Sequence, residues 1–197
     1  MQVSSIILCG GLATRMGGLD KGLVQFRQKT LVEHVIGRLK TQVDEIFINA
    51  NREILAYQAY GYPVLQDDIA DFIGPLAGFS LGLKHANFDY LLTVPCDSPL
   101  LPMDLVNRLQ QNLLLQDADI AVASSAGDAH PVFSLSKVSA LTSLLDYIQD
   151  GGRKVSAWQK TLRYIEVDFT DQAEAFSNIN TLADLMDMEE KCSQHLS

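Results

Sequence analysis

The chain of 197 residues lacks several features that would assign it to large classes of protein. No apolar run approaches the roughly 18 residues of a membrane-spanning helix, and the first residues do not show a charged stretch followed by an apolar core. A membrane partner is therefore not expected. Excess positive charge is missing as well. Fifteen Lys and Arg face 24 Asp and Glu, a formal net charge of −9, which argues against a nucleic-acid surface. It leaves nucleotide binding open, because that depends on local charge and backbone N–H groups. Cysteine is scarce and odd in number. Cys9, Cys96 and Cys192 have no paired spacing, so neither a disulfide framework nor a zinc site is indicated, and a reducing cytoplasm is the expected setting. Linkers, repeats and low-complexity segments are absent. What remains is 47% hydrophobic and 20% charged, ordinary for one globular domain over residues 1–197 with a sizeable core.

Strand-like runs at Ser4–Leu8, Glu45–Ile48, Tyr62–Leu65, Tyr90–Val94 and Asp119–Ala123 alternate with helical patterns. Leu31, Val35, Ile36 and Leu39 recur at helical spacing, with Thr30 as a cap. Leu76, Phe79, Leu83 and Ala86 do the same after the start signal Gly74-Pro75. A third helix carries Leu105, Val106, Leu109, Leu113 and Leu114. Phe133–Leu135 and Arg163–Phe169 read as later strands, and Thr181–Lys191 as a closing helix. Strands separated by helices of this length imply right-handed crossovers. The predicted fold is α/β, a single-domain, mostly parallel Rossmann-like sheet with helices on both faces.

The first strand opens into Gly10 and Gly11, then Arg15, Gly17, Gly18 and Asp20-Lys21-Gly22. Glycines let backbone N–H groups approach an anion closely, and the two cations can neutralise phosphate charge. A Walker loop is excluded, since no Ser or Thr follows the lysine; the dinucleotide fingerprint is excluded too, because no helix follows the third glycine directly. A polyphosphate-binding loop over residues 8–22 is the expectation, against a merely flexible turn.

In such sheets ligands sit beyond the carboxyl ends of the strands. Besides the glycine loop, those ends carry Asn49-Ala50-Asn51, Gln66-Asp67-Asp68 and Pro95-Cys96-Asp97-Ser98-Pro99. Asp97 follows a buried-strand pattern in a turn restricted by two prolines. A carboxylate opposite a polyphosphate loop suits Mg²⁺, a hard cation bound by one or two carboxylates plus substrate phosphates. Turn initiation or helix capping is the competing account of Asp97. Cys96 beside it reads as a small packing residue rather than a nucleophile. His34, His85 and His195 are assigned nothing. His130-Pro131 precedes a strand and would line the second-substrate side only if it is not solvated. Arg153 and Lys154 follow Gly151-Gly152 in a loop entering a helix, as a solvated pair or a phosphate clamp. Asn178 and Asn180 lie two apart, so an extended segment would turn both to one side, with capping at Thr181 as the alternative.

Together, "LCGGLATRMGGLDKGL" from Leu8, "NANR" at Asn49–Arg52, "GPLAG" at Gly74–Gly78, "PCDSP" at Pro95–Pro99 and "NINT" at Asn178–Thr181 resemble the molybdenum cofactor guanylyltransferase family. The resemblance spans almost the whole chain in order. It implies transfer of GMP from GTP to the phosphate of molybdopterin, with release of pyrophosphate and Mg²⁺ as cofactor. It places Leu8, Cys9 and Gly10 at backbone contacts to GTP, Lys21 at its phosphates, and Asn49 and Asp67 at further GTP positions. Asp97 falls where nucleotide and Mg²⁺ are both contacted. Arg15, with Lys21 and Asp97, is implied in activity, and Gly18, Lys154, Asn178 and Asn180 in the acceptor side, within residues 125–181 and the loop. Cys9 stands where Ala is usual, and Lys154 where Arg can stand, which loses a bidentate fork to phosphate. Molybdoenzymes or upstream cofactor-biosynthesis proteins are implied partners.

The chemistry asks for two anions held in line and for screening of the charge that builds on bridging and leaving oxygens. A phosphate acceptor ionised near neutral pH calls for no covalent intermediate and no dedicated base. Two alternatives are a related transferase using CTP or a sugar-phosphate acceptor, and a non-catalytic carrier of nucleotide or cofactor. Arg15, Lys21 and Asp97 together argue against the carrier.

Overall fold

The computed structural model describes residues 1–10, 20–68 and 74–194. Nine strands and seven α-helices are found among them: β1 (Val3–Leu8), β2 (Gln25–Phe26), β3 (Lys29–Thr30), α1 (Leu31–Leu39), β4 (Glu45–Asn49), α2 (Ile54–Gln58), β5 (Val64–Leu65), α3 (Pro75–His85), β6 (Tyr90–Pro95), α4 (Leu105–Leu115), β7 (Ile120–Ser125), β8 (Asp128–Lys137), α5 (Leu141–Gln149), α6 (Val155–Gln159), β9 (Tyr164–Asp168) and α7 (Leu182–Gln194). Seven strands form one sheet in the order β5-β4-β1-β6-β8-β7-β9, and β2 pairs with β3 in a small separate ribbon. All contacts in the large sheet are parallel except those of β8, which runs antiparallel to both β6 and β7. The mostly parallel expectation holds, with β8 as the inverted member.

Alternation along the strands divides the core into two layers. Ile7, Ile48, Leu92, Val94 and Leu135 face α1 and α4. Ile6, Leu91, Ile120 and Val122 face α3, α5 and α6, where Trp158 is wholly buried and meets Phe79 edge-on at 5.7 Å. Helix α1 starts on a capping box: Glu33 N donates to Thr30 Oγ1 at 3.3 Å and Thr30 N donates to Glu33 Oε2 at 2.7 Å. The bond from Thr30 N, with a second from Thr30 Oγ1 to the same oxygen at 2.9 Å, holds the Glu33 carboxyl below its ordinary pKa. Helix α3 begins with Pro75 at its first position, and Gly78 and Gly82 give it a flat face. A Cβ on Gly78 would stand 2.5 Å from Leu8 Cδ2, and one on Gly82 would stand 2.8 Å from Ile6 Cγ2. The two glycines therefore let α3 lie directly against the end of β1.

The β2–β3 ribbon and α2 have no counterpart in the sequence expectation, and three further elements differ from it. The strand expected from Tyr62 begins at Val64, since Pro63 has no N–H to give the ladder. Strand β8 extends well before Phe133, back to a two-residue turn at Ala126 (φ 50°) and Gly127 (φ 88°). Both residues in the left-handed region make a turn whose twist suits a hairpin. Helix α5 lies in a stretch assigned no element from the sequence.

Candidate active site

The carboxyl ends of β1, β4 and β6 lie side by side, because β1 pairs with β4 on one side and β6 on the other. Strand order runs in opposite directions from β1, which makes this the switch point where ligands of such sheets sit. Cys9 N donates to Asn49 O at 2.9 Å and Cys96 N to Leu8 O at 3.2 Å, so the three strand tips stay in register past their ends. Leu8, Cys9 and Gly10 thus stand at the centre of the edge. Arg15 and Gly18, with the rest of residues 11–19, lie outside the described residues.

On one side is an amide–carboxylate cluster. Asn49 is buried, and its Nδ2 donates to Leu65 O at 3.2 Å and to Asp67 Oδ1 at 2.9 Å. Its Oδ1 is wedged between two glycines; a Cβ at Gly10 would come within 3.1 Å of it and one at Gly78 within 2.7 Å. Asn51 makes a reciprocal pair with Asp67: Nδ2 donates to Oδ2 at 2.7 Å, and Asp67 N donates back to Asn51 Oδ1 at 2.8 Å. Asp67 is thereby fixed by three bonds while each carboxylate oxygen keeps a lone pair for a further donor. Asn49 spends both amide hydrogens inside the protein, which makes it the strut of Asp67. Asn51 was not singled out from the sequence, although the Asn-x-Asn at a strand end was the available signal.

On the other side is the turn after β6. Asp97 is buried, and its Oδ2 accepts from Lys21 Nζ at 3.2 Å. Its Oδ1 is buried and has no hydrogen-bond partner among the described residues. The segment Asn178-Ile179-Asn180 runs across this turn: Ile179 N donates to Asp97 O at 2.9 Å, Ser98 Oγ to Asn178 Oδ1 at 2.6 Å, and Lys21 Nζ to Asn180 Oδ1. Asn178 thus reaches the turn after β6, and Asn180 reaches the lysine that pairs with Asp97. The capping alternative is present as well: Asp184 N donates to Thr181 Oγ1 at 3.1 Å, and Thr181 N and Asn180 N both donate to Asp184 Oδ2 at 2.8 Å. Lys21, Asp97, Asn178 and Asn180 come together; Lys154 does not join them among the described contacts. It stands exposed at the start of α6, its carbonyl accepting from Tyr147 Oη at 3.2 Å.

Beneath the strand tips, Cys96 is wholly enclosed. A hydrogen bond with Cys9, then burial, pushes its thiol well above the ordinary value, which keeps it protonated and inert. Further along the same edge, His130 bonds Ser125 Oγ through Nε2 at 2.7 Å and stacks on Phe176 with centroids 4.6 Å apart. Burial lowers its pKa, so the ring is neutral near pH 7. Among the described residues no three His, Cys, Asp or Glu side chains gather around one point. The buried Asp97 Oδ1, without a partner among the described residues, is chemically suited to a hard cation.

Residues 5–163 match the MobA-like NTP transferase domain. The molybdenum cofactor guanylyltransferase of Polynucleobacter asymbioticus is 49% identical over 192 residues, covering 95% of this chain and 96% of that protein. That of Shewanella sp. strain MR-4 is 46% identical, covering 92% of each. The chain belongs to the molybdenum cofactor guanylyltransferase family. The fold agrees. A crystal structure of molybdopterin-guanine dinucleotide biosynthesis protein A from Archaeoglobus fulgidus superposes with a TM-score of 0.78, at 22% identity, over 98% of this chain and all of the other. In this family member, no described helix is long and apolar enough to cross a membrane.

Proposed function

We infer that the protein transfers GMP from GTP to the phosphate of molybdopterin, forming the guanine dinucleotide of the cofactor and releasing pyrophosphate. The observation that carries the reading is the pairing of Lys21 with a buried Asp97 whose second oxygen has no partner among the described residues, at the switch point of the sheet. Family membership supplies the substrates; the geometry supports the division of labour. Backbone groups of Leu8, Cys9 and Gly10 take the nucleotide, and Lys21 and Arg15 neutralise the triphosphate. Asn49 holds Asp67 towards the base or ribose. Asn178 and Asn180 fix the turn and the lysine, with Gly18 and Lys154 on the acceptor side within the single domain. Residues 8–22 form the GTP loop, 95–99 the metal turn and 125–181 the acceptor side.

Asp97 would hold Mg²⁺, which when bound screens charge between the two phosphates. The chain itself aligns the reactants, since two phosphates repel and must be held in line before one attacks the other. Lys21 places a fixed positive charge where the leaving oxygens gain charge, and a preorganised cation does so without reorganisation cost at the moment of reaction. Neutral His130 on its Ser125 and Phe176 support faces the acceptor side without adding charge there. The reaction fits a reducing cytoplasm, with molybdoenzymes receiving the product.

Purified protein mixed with GTP, Mg²⁺ and molybdopterin should release pyrophosphate, and CTP or ATP in place of GTP should not support it. Pyrophosphate release with CTP at the rate seen with GTP would overturn the guanylyl assignment. Tight GTP binding without release would make the protein a carrier.

A further inference from the structure

Below the site lies a buried contact that the proposed reaction does not use. Tyr57, on the short α2, is completely buried and donates its hydroxyl to Asp20 Oδ1. That carboxylate is itself buried and caps the single turn Lys21–Leu23, accepting from Gly22 N at 3.3 Å. Asp20 O also accepts from Leu23 N at 3.0 Å. The turn therefore hangs from one carboxylate, and Lys21 is its first residue. Space at the contact is so tight that a Cβ on Gly22 would lie 2.4 Å from the Tyr57 hydroxyl oxygen. Glycine at 22 is the condition for the phenol to reach Asp20 at all.

The phenol comes from the other half of the site. Helix α2 follows directly on Asn49-Ala50-Asn51-Arg52, entered through Glu53 in the left-handed region (φ 49°). One hydrogen bond thus joins the loop that holds Asp67 to the turn that carries the phosphate-facing lysine. Burial, reinforced by the hydrogen bond to Asp20, raises the Tyr57 pKa far above its ordinary value, so the hydroxyl keeps its proton and acts as donor. A buried carboxylate deprived of a donor suffers the desolvation penalty in full, and a turn capped by it loosens.

We propose that Tyr57 is a positioning residue for Lys21, acting through the buried Asp20 carboxylate to hold the lysine against Asp97 and Asn180. The proposal rests on the reading of Lys21 as the triphosphate cation. A double-mutant cycle separates the two. Dissociation constants for GTP with Mg²⁺ are measured by calorimetry on wild type, Tyr57→Phe, Lys21→Ala and the double variant. Tyr57→Phe should weaken GTP about fivefold, and should add less than about twofold once Lys21 is absent, because coupled residues act as a unit. A Tyr57→Phe effect of the same size in both backgrounds would show packing alone and overturn the proposal, as would unaltered GTP affinity in the single variant. Wild-type affinity in Lys21→Ala would instead sink the lysine reading, and the positioning role with it. If Tyr57→Phe unfolds at the assay temperature, Asp20→Asn runs the same cycle. It keeps an acceptor for Gly22 N but removes the charge that strengthens both bonds, and it must show the same loss of effect without Lys21.

Discussion

The two ends of the sheet treat charge in opposite ways. At the amino ends of β7 and β9, Arg163 reaches Asp119 Oδ1 at 2.6 Å and also bonds Asp117, and Lys137 sits 3.3 Å from Asp119 and 3.5 Å from Asp117. Each charge there has a partner, and hydrogen bonding from Arg163 brings the Asp119 pKa down to about 2. At the carboxyl ends, Lys21 shares one oxygen of Asp97 while the other, though buried, has no partner among the described residues. A protein has no structural reason to bury half a carboxylate without a partner, since the lost hydration is not recovered. The contrast teaches that completed pairs mark architecture and incomplete ones mark work to be done on a ligand.

The sharpest way to break the contrast is Asp97→Asn. The volume is kept and the charge is lost, so transfer should fall about a hundredfold or more, roughly 2.7 kcal/mol in barrier, with the thermal unfolding midpoint little changed. Near-native pyrophosphate release with unchanged Mg²⁺ dependence would take Asp97 out of the site. Lys21→Ala is expected to raise the GTP dissociation constant about tenfold, as a charge-assisted bond to phosphate is lost. Affinity within about twofold of wild type would mean that the ammonium is merely solvated at the edge of the site.

A smaller effect sharpens the comparison on the base side. Guanine offers N1–H and an exocyclic amine as paired donors, and Asp67 is held by Asn49 and Asn51 with acceptor capacity left over. If it reads the base, Asp67→Ala lowers the preference for GTP over ATP by about fivefold, around 1 kcal/mol. If it binds ribose, both nucleotides weaken alike, and the unchanged ratio in binding assays rules out base reading. The smallest effect belongs to the other end of the sheet. Asp119→Asn should leave turnover within about twofold, because exposed pairs of this kind contribute little. Its signature is in acid. The folded pKa of about 2 lies below the ordinary 3.8, so the stability that Asp119 contributes is present above pH 3.8 and is lost as pH falls from there towards 2. The gap in urea midpoint between wild type and variant should therefore close across that window.

Much of this edge can be read from the chain because strand tips and glycines are local signals. The apolar runs into Gly10, Asn49 and Asp97 indicate three parallel strands ending together, and the fold then decides that they share a site. What escaped was set by contacts distant in sequence. Asp20 and Tyr57 are 37 residues apart and ordinary in isolation; only the fold shows one capping a turn and the other donating to it. Helix α5 has no side-chain cap at Ala140, so its start carries no flag, although Leu144 is completely buried. Helix α2 has five residues, too few for periodicity to speak. The hairpin before β8 turns on Ala126-Gly127 rather than the Asn-Gly or Asp-Gly that announces such a turn. Lys154, expected on the acceptor side from the family resemblance, stands away from the cluster among the described contacts, a reminder that resemblance suggests a residue and only space assigns a contact.

The strap formed by Asn178, Ile179 and Asn180 has a consequence for synthesis on the ribosome. Lys21 emerges early, but its Asn180 partner lies 159 residues later, and the bonds that pin Asp97 and Ser98 come from the same late segment. The strands flanking the first nucleotide loop can pair long before that segment leaves the exit tunnel. A growing chain therefore holds the halves of the centre without their tie, and only the docking of that late segment turns a folded sheet into an assembled catalyst.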